Sequence, residues 1–335
     1  FKRVYLDPWP ADPKLSSVFL RMTASDAKPF YALKFIKDNK LEGKMFNYWT
    51  EGGFIAWGQE PDPNTGRTPL QLAMDGRAQA AYNREAFDDW SRVMAGGQVA
   101  GQIIARAEAR KEQITAAHYA QIGRWMDGQL KADDVWVVLM PAGVFADPEQ
   151  KSGYHAIRGL ESNPNWRLVF LNNRQKLYVD VRTPRGRELS DGILNGETIY
   201  PDDYHRDLIR AHAQLLYREG LAEKKKGLDL AIKAFNLNPS PTPMLEIIVI
   251  AARVPQLRSD ITRFCKAYFD EFIKSEDSWA KQDGSRLKTE AVRLACIHLK
   301  NFAKARKDTK LENFYAAKES EYSGRLRDIA QLKRW

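Results

Sequence analysis

The chain has 335 residues, with 52 Lys and Arg against 43 Asp and Glu, which gives a net charge of +9. This length favours two domains, and a content of 44% hydrophobic and 28% charged residues excludes a wholly disordered polypeptide. The longest apolar runs, residues 135–140 and 247–252, are far shorter than the roughly 20 residues of a membrane-spanning helix, so no span is expected here. The first residue is Phe1 rather than Met, and we therefore expect a piece of a longer protein or a processed product.

The first hundred residues alternate between helical and extended patterns. Residues 29–39 place apolar side chains at helical spacing. The aromatic-rich residues 45–57 predict extended chain, interrupted at Gly52-Gly53 by a bulge or by a close backbone approach. Residues 70–74 predict a short buried strand that ends in Asp75.

Helical and extended segments continue to alternate up to residue 181. Residues 78–130 are rich in Ala, Gln and Arg and predict helix with an interruption at Gly96-Gly97, and residues 154–160 predict another helix. The apolar run over residues 134–140 predicts a strand buried on both faces. Strands over residues 166–171 and 176–181 flank Asn172-Asn173, which predicts a hairpin because Asn tolerates positive φ. Residues 1–200 are therefore expected to form an α/β layered domain.

Helical periodicity dominates after the turn-rich residues 182–203. Six helices are predicted, over residues 204–219, 225–236, 244–253, 259–274, 286–303 and 311–332. The first pair, which ends in KAFNLNPSPTP, resembles a tetratricopeptide unit, although no second copy of the roughly 34-residue repeat is visible. We expect residues 201–335 to form an all-α, tetratricopeptide-like domain, which carries a net charge of +7 and leaves +2 for residues 1–200.

Residues 43–82, which contain FNYWTEGGFIAW and DGR, form the most distinctive block of the sequence. The block resembles the soluble C-terminal part of bacterial polytopic membrane proteins related to GT-C-type glycosyltransferases. The residues that carry this resemblance are Phe46, Asn47, Gly52, Gly53, Trp57, Asp75, Gly76, Arg77 and Tyr82. The likeness covers about residues 28–240, and the sequence departs from it by a longer helical insertion near residues 84–130 and by a long basic tail.

The resemblance implies a non-catalytic, extracytoplasmic soluble region on the periplasmic face of a bacterial membrane. Such a region is expected to assist acceptor binding or partner assembly, since the catalytic carboxylates of that family lie in its membrane domain. The partners implied are the protein's own transmembrane region or another protein bound by the helical domain. A glycan or anionic lipid headgroups are further possible ligands, and nucleic acid is not expected.

The candidate ligand-binding residues follow from the position of the DGR block after a buried strand. In open α/β sheets, ligands bind at the carboxyl ends of the strands. Arg77 offers a planar fork for a phosphate or carboxylate, and Asp75 can accept hydrogen bonds from sugar hydroxyls. Trp49 and Trp57 can stack on a sugar ring, and Glu51 and Tyr82 complete the candidate set. The alternative interpretation is an internal Asp75–Arg77 or Glu51–Arg77 ion pair, with both tryptophans in the core.

No metal site, cofactor or catalytic group is predicted. The adjacent carboxylates Asp88-Asp89, Asp133-Asp134 and Asp202-Asp203 do not share a helix face, so they are expected on the surface or as helix caps. Five His and two Cys show no metal-ligand spacing. Cys265 and Cys296 are expected to be small buried side chains, and the sequence leaves open whether they pair.

Three other functions stay open at this point. The chain can be a cytoplasmic soluble scaffold that binds a partner protein through its helical array. It can be a sugar- or nucleotide-binding enzyme that uses Asp75 and Arg77 at the sheet edge. Binding of lipid headgroups or nucleic acid through the tail is the third; residues 300–335 hold 10 basic and 5 acidic residues, a composition typical of a solvated helix face.

Overall fold

The computed structural model describes residues 29–75, 82–142, 151–279 and 285–332. The chain divides into two compact units: one contains Lys28–Pro201, and Asp202–Trp335 belongs to the other. We call the first the sheet unit, because all the described strands lie in it, and the second the helical unit. An α/β part followed by a helical part is thus present, as the sequence predicts.

The sheet unit contains seven helices and five strands among its described residues. In chain order they are α1 (Phe30–Asp38), β1 (Gly43–Asn47), α2 (Trp49–Gly58), β2 (Leu70–Leu72), α3 (Arg84–Met94), α4 (Gly97–Arg110), α5 (Ala116–Ala132), β3 (Val135–Pro141), α6 (Lys151–Glu161), β4 (Trp166–Leu171), β5 (Gln175–Asp180) and α7 (Pro184–Asn195).

The five strands form one mixed sheet in the order β2-β1-β3-β5-β4. Strand β1 pairs in parallel with β2 and with β3, whereas β5 runs antiparallel to both β3 and β4. Because β5 starts where β3 ends, Gln175 pairs with Pro141. The turn between β4 and β5 therefore lies at the edge where β1, β2 and β3 end, which we call the carboxyl edge.

The core of the sheet unit is built on the apolar strands. Every residue of β3 except Trp136 is buried, as expected for a strand covered on both faces. Helix α1 buries Ala32, Leu33, Phe35 and Ile36, and the Phe35 ring lies 5.4 Å from that of Phe170 in β4. Burial at positions i, i+3 and i+4 of α1 is the helical spacing that the sequence predicts.

One predicted extended segment is wrong. Residues 45–57 do not continue as strand: β1 ends at Asn47 and helix α2 begins at Trp49. The buried positions Glu51, Ile55 and Gln59 are four residues apart, so the helix buries one face despite its two glycines. The glycine pair masks this pattern in the sequence, since glycine weakens helix propensity.

The β4–β5 hairpin is present, but its turn is closed differently from the prediction. Neither Asn172 nor Asn173 adopts positive φ. Instead, the side-chain oxygen of Asn172 accepts hydrogen bonds from the backbone N–H groups of Arg174, at 2.8 Å, and Gln175, at 2.7 Å. This local side-chain bonding replaces the left-handed conformation as the device that reverses the chain.

The helical unit contains all six predicted helices. They are α8 (Asp203–Tyr217), α9 (Leu221–Leu237), α10 (Pro241–Arg253), α11 (Arg258–Trp279), α12 (Ser285–Ala305) and α13 (Thr309–Leu332). Helix α8 packs on α9, and α12 packs on α13. Their apolar faces meet in one core whose members include Phe235, Ile247, Cys265, Phe269 and Tyr322.

Candidate functional site

Four buried polar side chains lie at the carboxyl edge of the sheet, and we call them the edge cluster: Asn47, Glu51, Asp75 and Gln175. Asn47 is the last residue of β1, and Asp75 follows three residues after the end of β2. Glu51 lies in the first turn of α2, directly after β1, and Gln175 opens β5. Carboxyl ends of parallel strands are where open α/β sheets bind ligands.

Asn47 joins the end of β1 to the chain after β2. Its side-chain N–H donates to the carbonyl oxygen of Met74 at 2.7 Å, and its side-chain oxygen accepts from the backbone N–H of Ala73 at 3.2 Å. Its backbone carbonyl accepts a hydrogen bond from the indole N–H of Trp90 in α3 at 2.9 Å. Asn47 therefore fixes the backbone that carries Asp75 and anchors α3 to the same edge.

Gly52 allows α2 to lie directly on that backbone. A Cβ atom on Gly52 would stand 2.2 Å from the carbonyl oxygen of Met74 and 2.9 Å from the Cα of Asp75. No side chain larger than hydrogen fits there without a backbone shift. The close approach that the glycine pair suggests is thus real for Gly52, whereas a Cβ on Gly53 would meet nothing within 4 Å.

Glu51 is the least satisfied member of the edge cluster. Its side chain is only 4% exposed, and its Oε1 accepts a hydrogen bond from the side-chain amide of Gln175 at 3.1 Å. Its Oε2 has no hydrogen-bond partner within the described part of the chain. Burial raises the pKa of Glu51 to about 8, and the Gln175 hydrogen bond lowers it only in part. The carboxyl group is therefore mainly protonated and neutral at pH 7.

Gln175 is held by the hairpin turn that precedes β5. Its side chain is buried, and its backbone N–H donates to the side chain of Asn172. Asn172 is buried as well, so the amide that meets Glu51 is placed by a closed turn rather than by an open loop. A neutral carboxyl beside an amide can both donate and accept hydrogen bonds, as a ligand hydroxyl also does.

The structure brings some of the sequence-predicted residues together and separates others. Glu51 and Asp75 lie at the same edge, where Gly52 brings α2 onto the backbone of Asp75, and Trp49 is half-buried at the start of α2. Trp57 lies at the other end of α2 and is 79% exposed, with its ring centroid 6.1 Å from that of Phe54. The interpretation that both tryptophans lie in the core is therefore wrong for Trp57.

The other two predicted residues have different outcomes. Arg77 lies outside the described residues, so neither of its predicted ion pairs is tested. Tyr82 is described and half-buried, directly before α3. Glu51, the alternative partner of Arg77, pairs with the amide of Gln175 through its Oε1.

Three residues of the site were not singled out from the sequence as ligand-binding candidates. Asn47 belongs to the quoted block but carries no signal beyond its place at a strand end. Trp90 and Gln175 lie 43 and 124 residues from their partners Asn47 and Glu51, so no local pattern connects them. Only the sheet topology brings these groups to one edge.

The adjacent carboxylates lie on the surface or cap a helix, as predicted. Asp88 and Asp89 form exposed ion pairs with Arg84 and Arg92 on α3. Asp202 caps α8 by accepting a hydrogen bond from the backbone N–H of His205 at 3.0 Å. The surface ion pairs and the helix cap are ordinary roles of carboxylates on helices. Among the described residues, no three His, Cys, Asp or Glu side chains cluster in a way that would hold a metal ion.

Comparison with protein-family models, with curated proteins and with solved structures finds no match. Within the described ranges, no helix combines the length and the apolar character needed to cross a bilayer.

Proposed function

We propose that the sheet unit is a non-catalytic binding domain that takes a hydroxyl-bearing acceptor at the edge cluster. The observation that carries this proposal is Glu51, a buried carboxyl with a raised pKa and one oxygen that has no protein partner in the described chain. A buried polar atom without a partner costs about 1–3 kcal/mol, so it marks a place where a ligand can supply the missing hydrogen bond.

The chemistry of the edge cluster suits a neutral ligand better than an anion. A protonated Glu51 can donate from its hydroxyl, and the side-chain amide of Gln175 already faces it. Asp75 adds a second buried carboxyl to this edge. None of the four members of the edge cluster is cationic. A sugar-type acceptor presents hydroxyl groups that pair with such a mixed set.

By the resemblance of residues 43–82, we place this domain in a membrane-embedded, glycosyltransferase-like protein, on the extracytoplasmic side. The sequence encoded before Phe1 tests this part. Several hydrophobic helices of about 20 residues are expected there. If the preceding sequence lacks such helices, the proposed membrane attachment and extracytoplasmic location are wrong. The binding proposal for the edge cluster is not affected by that result.

The edge cluster itself is tested by NMR of the full chain with ¹⁵N-labelled tryptophan. The indole signal of Trp90 reports on this edge, because its N–H bonds to Asn47, and a Trp90→Phe variant assigns it. The probes are glucose, galactose, mannose and N-acetylglucosamine. We expect at least one of them to shift this signal, and Glu51→Ala to weaken its binding at least about tenfold.

Two conservative variants and one control sharpen the result. Glu51→Gln stays neutral and should keep the affinity within about threefold, whereas Asp75→Asn should weaken it, because one of the two acceptor oxygens is replaced by an NH2 donor. Glu60→Gln, just beyond α2 and highly exposed, should leave binding unchanged. Absence of a Trp90 shift with every sugar, or an unchanged affinity in both Glu51→Ala and Asp75→Asn, contradicts the proposal.

For the helical unit we propose a tetratricopeptide-like array that binds a partner protein or the protein's own transmembrane region. The support is the first helix pair: α8 and α9 pack together and span Asp203 to Leu237, close to the roughly 34 residues of one such repeat. The pair α12 and α13 is longer, with 21 and 24 residues, so the array is irregular.

We assign no ligand to the basic tail. Lys300 pairs with Glu319 across α12 and α13, and Lys318 and Arg325 both pair with Glu321. These ion pairs neutralise part of the positive charge and are those of a solvated helix face. Salt-dependent retention of the full chain on heparin would contradict this assignment.

A second candidate function is an enzyme that acts on the same ligand through Asp75 and Arg77. The observation in its favour is the pair of buried carboxyls at the edge, one of them Glu51 with a raised pKa, as acid and base pairs in active sites often are. Hydrolysis or transfer on a sugar substrate that is lost in Asp75→Asn and Arg77→Ala would favour the enzyme. Binding without turnover favours the non-catalytic domain.

A further inference from the structure

A polar cavity that is partly open to solvent lies in the sheet unit among α3, α4 and α5, away from the residues of the edge cluster. Its volume is about 340 Å³, within the range of roughly 300–1,000 Å³ of small-molecule sites. It is lined by Arg92, Gln98, Val99, Gln102, Trp125 and Gln129, and we call it the glutamine cavity.

The sequence places these side chains in two helical pairs. Gln98 and Gln102 are four residues apart on α4, and Trp125 and Gln129 are four residues apart on α5. Residues at this spacing share one helix face. Three amides and one indole ring are thus presented to one volume by two helices that pack against each other.

The Gly96-Gly97 turn sets the position of the indole ring. Both glycines have positive φ, +76° and +70°, which side-chain-bearing residues rarely adopt. A Cβ atom on Gly97 would lie 2.5 Å from Cζ2 of Trp125 and 2.6 Å from Cε2, so the ring rests directly on the glycine backbone. The glycine pair that the sequence suggests as a helix break therefore supports one wall of the cavity.

The polar groups that line the glutamine cavity are available to a ligand. In the described chain, the structure gives no hydrogen bond to the side-chain amides of Gln98, Gln102 and Gln129 or to the indole N–H of Trp125. The one charged lining residue, Arg92, is paired with Asp89 at 2.6 Å. Gln98 and Gln102 are exposed, whereas Gln129 and Trp125 are half-buried. The cavity thus presents solvated amides beside an aromatic surface.

We propose that the glutamine cavity binds a neutral sugar of one or two rings. Amides donate and accept at once, as sugar hydroxyls do, and an indole ring packs on the apolar C–H face of a sugar. An anionic ligand would need more cations than one paired arginine. A lipid chain would displace water from the amides without replacing its hydrogen bonds. This inference does not rest on the proposed function, because the two sites share no residue.

The test uses the full chain with ¹⁵N-labelled tryptophan, in which the Trp125 indole signal is assigned by Trp125→Phe. The probes are glucose, galactose, mannose and N-acetylglucosamine, their β-linked disaccharides and their methyl glycosides, with adenosine as a non-sugar aromatic ligand. At least one sugar should shift the Trp125 signal. The double variant Gln102→Ala/Gln129→Ala should weaken that binding at least about tenfold.

The matched control is Gln121→Ala, an exposed glutamine on α5 that does not line the cavity, and it should leave the affinity unchanged. The double variant removes two amides that have no partner in the described chain, so we expect it to fold like the wild type. It therefore still tests the proposal if Trp125→Phe fails to fold. Binding of methyl glycosides would identify a glycan attached to a carrier, and binding of the free sugar alone would identify a metabolite.

Three results overturn the proposal: no sugar shifts the Trp125 signal, a shift persists at full affinity in the double variant, or only adenosine binds. Since the Trp90 signal reports on the edge cluster in the same spectrum, failure of one site is distinguished from failure of the other. A sugar that shifts Trp125 and leaves Trp90 unchanged supports the glutamine cavity, and the edge cluster fails only if no sugar shifts Trp90.

Discussion

The sheet unit and the helical unit are assembled from contacts of very different range along the chain. In the helical unit, polar pairs join residues of one helix or of helices a few tens of residues apart, such as His205 with Asp202 and His212 with Glu246, at separations of 3 and 34 residues. In the sheet unit, Gln175 reaches Glu51 across 124 residues. The difference shows where a buried polar site can be built: at a junction of distant strands, where side chains converge without following any helical period.

This difference also decides what the sequence can predict. All six helices of the helical unit follow from apolar residues at helical spacing, and so does α1. The strand β3 follows from its continuous apolar run. Helix α2 is missed because Gly52 and Gly53 hide its buried face.

The candidate site is only partly predictable, for the same reason. Asp75 is recognisable because it follows a buried strand, and Glu51 because it lies in the distinctive block. The role of Gln175 depends on the pairing of β3 with β5, which sequence periodicity does not encode. The strand order therefore had to come from the structure.

The largest expected effect concerns the pH dependence of the sheet unit. The folded-state pKa of Glu51, about 8, lies above the ordinary value of 4.5, so the folded state binds the proton more tightly. This contribution to the free energy of unfolding is fully present below pH 4.5 and is lost as the pH rises to about 8. Relative to Glu51→Gln, the wild type should lose on the order of 4 kcal/mol over this window.

Urea unfolding followed by tryptophan fluorescence measures this loss, since six of the nine tryptophans lie in residues 29–201. Glu60→Gln is the control, and it should keep the pH profile of the wild type. A Glu51→Gln profile parallel to that of the wild type between pH 4.5 and 8 would show that the carboxyl is not buried in the way described.

In the helical unit, Ile247→Ala should have the next largest effect. Ile247 is fully buried in the core, and its truncation should lower the free energy of unfolding by about 3 kcal/mol through lost burial and a residual cavity. Circular dichroism at 222 nm during urea unfolding measures the change. Leu245→Ala, on the same helix but 46% exposed, should cost less than about 1 kcal/mol. Equal costs for the two variants would contradict the orientation of α10.

Gly52→Ala should have the third largest effect and lower the free energy of unfolding by about 2 kcal/mol. The new methyl group meets the Met74 carbonyl and must displace the backbone. Gly53→Ala is the matched control on the same helix. Its Cβ meets nothing, so it should be neutral or stabilise by about 0.5–1 kcal/mol through higher helix propensity. Tryptophan fluorescence during urea unfolding compares the two, and equal effects would argue against the close approach of α2 to the chain after β2.

The smallest effect is expected for the chemical reactivity of the two cysteines, which are free and buried in the helical unit. Burial raises the pKa of each thiol to about 12, so neither forms the reactive thiolate at pH 8. In the native chain neither thiol should react with Ellman's reagent within minutes, and both should react in guanidinium chloride. Rapid reaction in the native state would mean that the core of the helical unit opens readily.

The outer strands of the mixed sheet bear on how the protein behaves at high concentration. Strand β2 has three residues and follows Pro69, which has no N–H to offer, and the pairing of β4 with β5 is irregular between Leu168 and Phe170. A short outer strand and an irregular one both give a poor template for a strand from another molecule. Aggregation by strand pairing along the two sides of this sheet is therefore disfavoured.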